Sequence, residues 1–290
     1  MTRLLCATDL LPKSEAAIDR AGLLAQELGA DLSLLHVVSP VTSERALEQS
    51  LQIAIARMKS RARPPAWRAR TLPNVIVRAG SPGRVVLDTI AGEKPDLFII
   101  GPHRKRGVLD ALQGTIAEKA VSARQCPVLI VQENASTRYR NVLLALDSSD
   151  ASRRAVRVAE QLVLRDGAQA TVVHACATVR HAVLQAAGAE APVTFSTDCS
   201  PNEATAAMRE LLVQESADPA RYELAVVDGT ALPTIKRAIE SLQPDLLVLG
   251  TRGDGRMRRA VLGSVANQLM RIARCDTLIV PQAAIGASHA

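Results

Sequence analysis

The chain has 290 residues, a formal net charge of +6, 48% hydrophobic residues and only 2% aromatic ones. That length suits two ordinary domains, each able to bury its own core, and a core of Leu, Val, Ile and Ala suits parallel sheets covered by helices. The scarcity of rings excludes a stacking platform for single-stranded nucleic acid, and no uninterrupted apolar stretch is long enough to span a bilayer.

Chain order starts with Met-Thr-Arg-Leu-Leu-Cys-Ala-Thr-Asp, which reaches Asp9 before any signal-peptide apolar region could form. A soluble, cytoplasmic protein is therefore expected. Leu4 to Thr8 reads as an apolar strand, Ser14 to Leu28 as a helix with Ala17, Ala21, Leu24 and Leu28 on one face, and Leu32 to Val38 as a second strand. A long helix from about Thr42 to Arg63 follows, then a short strand at Val75 to Val77. Ser81-Pro82 offers an N-cap and a first-turn proline for a helix through Ile90. Leu97 to Ile100 is a fourth strand; a helix starting near Gly114-Thr115 and the strand Val128 to Val131 complete five strands and four helices.

The frame then repeats. Leu5, Ala7, Asp9, Ser14, Ala17, Ala21, Leu24, Gly29 and His36 recur without a gap as Leu143, Ala145, Asp147, Ser152, Ala155, Ala159, Leu162, Gly167 and His174. Such a period means two globular copies in tandem. We place the first domain at 1–134 and the second at 139–282, with the boundary near Ser136 in the short segment Asn134-Ala-Ser-Thr137. Strands are expected near Val142 to Leu146, Ala170 to His174, Leu224 to Val227, Leu246 to Leu249 and Thr277 to Val280, and a helix from about Thr230. The offset between matched positions is 138 at Asp9 and Asp147 but 149 at Gly101 and Gly250, an insertion of 11 residues. The insertion falls at about Val179 to Cys199, and Ser200-Pro201-Asn202-Glu203 behind it reads as a capping box.

Alternating strands and helices with short turns give a doubly wound α/β fold in each copy, whose ligands sit beyond the carboxyl ends of the strands at a switch in strand order. Asp147 and a glycine-rich loop both follow strands there. That loop holds Gly250, Gly253, Gly263 and Ser264 at fixed spacing behind the apolar run Leu246 to Leu249. Glycines let backbone approach a phosphate closely, and a helix N-terminus offers free N–H donors. An acid can hold ribose hydroxyls while loop and helix hold phosphates. The structural alternative is an ordinary tight turn with a helix cap. In the first copy Gly101, Gly114 and Thr115 match, but Arg104 stands where Gly253 stands, and Asp9 reads better as the cap of the helix that follows.

These residues resemble the universal stress protein family, whose nucleotide-binding members carry Gly-x2-Gly-x9-Gly-(Ser/Thr) after the fourth strand. The resemblance extends to the strand ending in Asp, to Leu35-His36-Val37 and to Cys126-Pro127-Val128-Leu129-Ile130-Val131. It implies two tandem doubly wound domains, each a five-stranded parallel sheet of order 3-2-1-4-5 flanked by helices and packed as an internal pseudo-dimer through the last strands, with a homodimer as the alternative. It also implies ATP or a related adenine nucleotide, with Mg2+, as ligand. By resemblance, Asp147 contacts ribose or adenine, backbone at Ala175 lines the adenine pocket, and Leu249, Gly250, Gly253, Gly263, Ser264 and Val265 wrap ribose and phosphates. The matching first-domain positions are Asp9, Val37, Gly101, Arg104, Gly114 and Thr115, where Arg104 either abolishes binding or pairs with phosphate; we expect the former.

No Walker, zincin, hydrolase-elbow or kinase motif is present, so no catalytic residue and no metal ligand is named. The expected function is a stress-response sensor or regulator that binds nucleotide mainly in its second domain and contacts an unidentified protein partner. A nucleotide-independent interaction module and a slow ATPase are the alternatives. The basic stretch Arg57, Lys59, Arg61, Arg63, Arg68 and Arg70 reads as a solvated helix end, so neither nucleic acid nor membrane is expected as a partner. His36 and His174 read as satisfied structural histidines. Cys6, Cys126, Cys176, Cys199 and Cys275 form no CxxC pair, and reduced thiols are expected.

Overall fold

A computed structural model describes residues 1–40, 43–62, 72–102, 115–132, 137–164, 167–176, 200–215, 217–251 and 263–282. Two compact units emerge: one built from Met1–Arg138 with Arg274–Ala290, the other from Tyr139–Arg259 with Gly263–Ala273.

The first unit holds β1 (Arg3–Thr8), α1 (Pro12–Leu28), β2 (Asp31–Val38), α2 (Glu44–Arg61), β3 (Asn74–Ala79), α3 (Pro82–Glu93), β4 (Leu97–Ile100), α4 (Ile116–Ala123) and β5 (Val128–Ile130). Strand β1 pairs in parallel with β2 and β4, β2 with β3, and β4 with β5, an order of β3-β2-β1-β4-β5. Leu4, Leu5, Cys6, Leu34, Leu35, Leu97, Phe98, Ile99, Val128 and Leu129 are all essentially without exposure. Continuous burial of this kind is the signature of a parallel sheet covered on both faces. Helix α1 lays Ala17, Ala21 and Leu24 on that sheet and stops at Gly29, whose left-handed φ of 60° suits a residue without Cβ.

The second unit holds β6 (Asn141–Ala145), α5 (Asp150–Leu162), β7 (Gln169–Cys176), α6 (Pro201–Gln214), β8 (Tyr222–Asp228), α7 (Ala231–Leu242), β9 (Leu246–Gly250) and α8 (Ser264–Ile272). Strand β6 lies between β7 and β9, and β8 flanks β7, all parallel. The switch in strand order thus falls at β6, and at β1 in the first unit.

One element departs from the repeat boundaries. The last strand, β10 (Asp276–Val280), comes from the second repeat yet belongs to the first compact unit. It pairs antiparallel with β5, setting Leu278 opposite Leu129.

Caps show where local sequence decided and where it did not. Thr230 starts the helix as expected, but Ser200 makes no side-chain bond to α6, so the capping box read there does not close; with Pro201 at the first helical position, the backbone bond from Ala204 N to Ser200 O starts the helix instead. A complete box stands at Thr115, whose Oγ1 accepts from Glu118 N while Glu118 Oε2 accepts from Thr115 N.

Candidate functional site

The carboxyl edge of β6 is the best-built polar feature of the second unit. Asp147 lies two residues beyond Ala145, which pairs with Leu249 of β9 on one side and Val173 of β7 on the other. Its Oδ1 accepts three bonds: from Ser149 N at 3.0 Å, Ser149 Oγ at 2.5 Å and Ser152 Oγ at 2.7 Å. Ser152 Oγ in turn accepts from Asp147 N at 3.0 Å, and Ser149 Oγ caps α5 by accepting from Ser152 N. The carboxylate is thus locked to the first turn of α5. Among the described residues every bond to the carboxylate uses Oδ1.

The sequence reading missed Ser149 and Ser152 as partners of this acid. Their signal was Ser-Ser-Asp directly after Asp147, an N-cap cluster. The first repeat lacks it. Leu11 stands at the Ser149 position and gives α1 no side-chain cap, and Leu10 takes a left-handed φ of 58° that an L-residue adopts at a cost. Asp9 Oδ1 accepts from Leu11 N at 3.0 Å, and Ser14 Oγ turns to Thr8 Oγ1 at 2.9 Å.

Gly250 ends β9 beside this cluster. A Cβ there would stand 2.8 Å from Ala151 Cβ and 2.9 Å from Ala151 C, so only glycine lets β9 pass the first turn of α5 this closely. Gly101 meets α1 in the same way, with Ser14 Cα at 3.2 Å from an added Cβ. Gly250 therefore has a packing reason that needs no ligand, and Gly101 a weaker one.

Beyond Gly250 the chain returns at Gly263, whose N donates to Thr251 O at 2.9 Å. Ser264 and Val265 open α8, and among the described residues no side chain caps that helix. Its first amides are of the kind that bind anions. Ala175 sits near the end of β7, paired with Val227 of β8. In the first repeat Val37 pairs with Arg78, and Thr115 caps α4. Gly253, Arg104 and Gly114 lie outside the described residues, as does the insertion near Val179 to Cys199.

Both histidines serve the backbone. His36 Nδ1 meets Thr8 O at 2.8 Å and His174 Nδ1 meets Leu146 O at 2.9 Å, so a carbonyl acceptor fixes the Nδ1–H tautomer in each. Cys6 is fully buried, and burial with the nearby Asp19 charge pushes its thiol far above the ordinary range, unlike a nucleophile. The expectation of reduced thiols holds for Cys6, Cys126 and Cys275 but fails for Cys176, which is disulfide-bonded. Local spacing rules see only near pairs, and Cys176 has none. Among the described residues no group of three or more His, Cys, Asp or Glu is arranged to hold a metal, and no helix is long and apolar enough to cross a membrane.

A family model described as the universal stress protein family matches residues 1–132 and 138–281. The chain belongs to the universal stress protein family. A universal stress protein of Mycobacterium tuberculosis is 25% identical over 191 residues, covering 64% of this chain and 62% of the relative. This chain thus spans less than two thirds of that relative's length. Universal stress protein A homolog 1 of Coxiella burnetii is 29% identical over 142 residues, covering 44% of this chain and 94% of its own. Among solved structures, a universal stress protein from Archaeoglobus fulgidus superposes with a TM-score of 0.71 at 17% identity, covering 97% of this chain and 96% of its own. That likeness supports the tandem fold.

Proposed function

We propose that this universal stress protein binds an adenine nucleotide, ATP with Mg2+ foremost, at the carboxyl edge of the second repeat, and that it acts in stress response as a regulator read by a protein partner. The observation that carries the reading is the Asp147 cluster. A carboxylate clamped by Ser149 and Ser152 stands at the switch in strand order, on the same edge as Gly250, where ligands of open α/β sheets bind. The uncapped start of α8 at Gly263, Ser264 and Val265 supplies donors for phosphate. In the first repeat Leu11 stands where Ser149 stands, Ser14, the counterpart of Ser152, turns to Thr8, and Arg104 stands for the inner glycine, which supports one competent site per chain.

A nucleotide-independent interaction module is the second reading. It is favoured by the contacts at Gly250, since close helix packing alone accounts for a glycine there.

Calorimetric titration of ATP with Mg2+ into nucleotide-stripped protein separates them. About one site per chain, lost in Gly253→Arg, supports the first reading. No heat of binding in the parent chain, with its fold intact by circular dichroism, moves the second ahead.

A further inference from the structure

Arg20 on α1 and Asp276 at the start of β10 form an ion pair, Nε to Oδ2 at 3.2 Å, with their side chains only 9% and 4% exposed. Arg20 Nη1 also donates to Thr137 O at 2.7 Å, and Asp276 Oδ1 accepts from Gln132 N at 2.8 Å. All four residues belong to one compact unit.

The repeat alignment explains why this pair matters. Leu129 and Leu278, which face each other across β5 and β10, are equivalent positions of the two repeats. Thr277 opposite Ile130 and Ile279 opposite Val128 complete a register symmetric about that point. The strands themselves are nearly the same, Val-Leu-Ile-Val against Thr-Leu-Ile-Val. Backbone bonds and apolar contacts therefore distinguish poorly between β10 on β5, a second copy's β5 on β5, and a second copy's β10 on β10.

The charges do distinguish them. The second-repeat equivalent of Arg20 is Val158, and the first-repeat equivalent of Asp276 is Pro127, both buried. Each repeat carries one half of the pair. With β10 on β5, Arg20 meets Asp276. With β5 on β5, the Arg20 of each copy would lie against Pro127 of the other, and with β10 on β10 each Asp276 would lie against Val158. Either like-with-like pairing buries two charges while breaking the ion pair that joins them here. A matched buried pair adds little net stability, whereas an unmatched buried charge is strongly unfavourable, so the effect falls on the choice of partner.

We propose that the Arg20–Asp276 pair is the selector of this edge: it admits β10 on β5 and rejects like-with-like strand pairing with a second copy of the chain.

The test uses the full chain and sedimentation velocity up to about 1 mM, near the effective concentration that a short linker supplies. Arg20→Val with Asp276→Pro gives each repeat the other's uncharged residue. Relative to the parent, this variant is expected to gain a concentration-dependent species with one more chain. Arg20→Lys, which keeps the positive charge opposite Asp276 and a donor for Thr137 O, is expected to keep the parent distribution, and to keep slow amide exchange at Leu129 and Leu278. An uncharged variant that sediments like the parent overturns the proposal. So does an uncharged variant that fails to fold, because the pair then stabilises rather than selects. An Arg20→Lys variant that associates as the uncharged one does overturns it as well.

Discussion

Replacing Gly250 with alanine tests whether β9 and the Asp147 cluster are locked by close packing. The added Cβ would lie 2.8 Å from Ala151 Cβ, 2.9 Å from Ala151 C and 3.1 Å from Ser152 N. Two of these are backbone atoms of the capped first turn of α5, which cannot rotate away. Relief needs a shift of about half an ångström between β9 and α5, and overpacking of this kind costs about 2–3 kcal/mol. Against that stands a gain of about 0.4–1 kcal/mol from restricting the unfolded chain, for a net loss of about 2 kcal/mol. At roughly 2–4 °C per kcal/mol the midpoint of thermal unfolding falls by about 4–8 °C. The matched control is Gly101→Ala, whose nearest contact is Ser14 Cα at 3.2 Å. There the smaller overlap and the unfolded-state gain nearly cancel, and the midpoint stays within about 2 °C. Differential scanning calorimetry of both variants reads the difference. A Gly250→Ala midpoint no lower than that of Gly101→Ala would refute the packing argument.

Ser152→Ala removes a buried hydroxyl that both donates to Asp147 Oδ1 and accepts from Asp147 N; urea unfolding should show a loss of about 1–3 kcal/mol, and ATP affinity should fall with it, whereas unchanged affinity would separate the clamp from the site. The Asp19 carboxyl is raised above its usual range by burial and then by Glu15, with Arg61 opposing. The folded state therefore holds its proton more tightly than the unfolded chain, and stability is lost as pH rises through that raised value. Asp19→Asn should consequently be more stable than the parent at neutral pH, with the gain vanishing below the ordinary carboxylate range; urea midpoints at acidic and neutral pH check this, and a gain independent of pH would contradict it.

The strands and helices were legible because burial on both faces leaves unbroken apolar runs, such as Leu97 to Ile100, and because α1 repeats Ala17, Ala21 and Leu24 at helical spacing. The tandem duplication was legible from residue identity alone. The role of Gly250 was not. A glycine after a strand reads the same whether it makes room for a phosphate or for Ala151, and only the contact distances tell these apart. Ser149 and Ser152 carried a cap signal, but nothing in the sequence tied them to the Asp147 carboxylate. Long-range relations were hidden as well. Nothing in the sequence tied Asp276 to Arg20, 256 positions away. The disulfide at Cys176 lay beyond local spacing for the same reason.

The most direct test of the proposed site is equilibrium dialysis of labelled ATP with Mg2+ against the parent, Asp9→Ala and Asp147→Ala. Close to one nucleotide per chain is predicted for the parent and for Asp9→Ala, with binding abolished in Asp147→Ala. Binding that survives Asp147→Ala but disappears in Asp9→Ala would place the nucleotide in the first repeat and contradict the account.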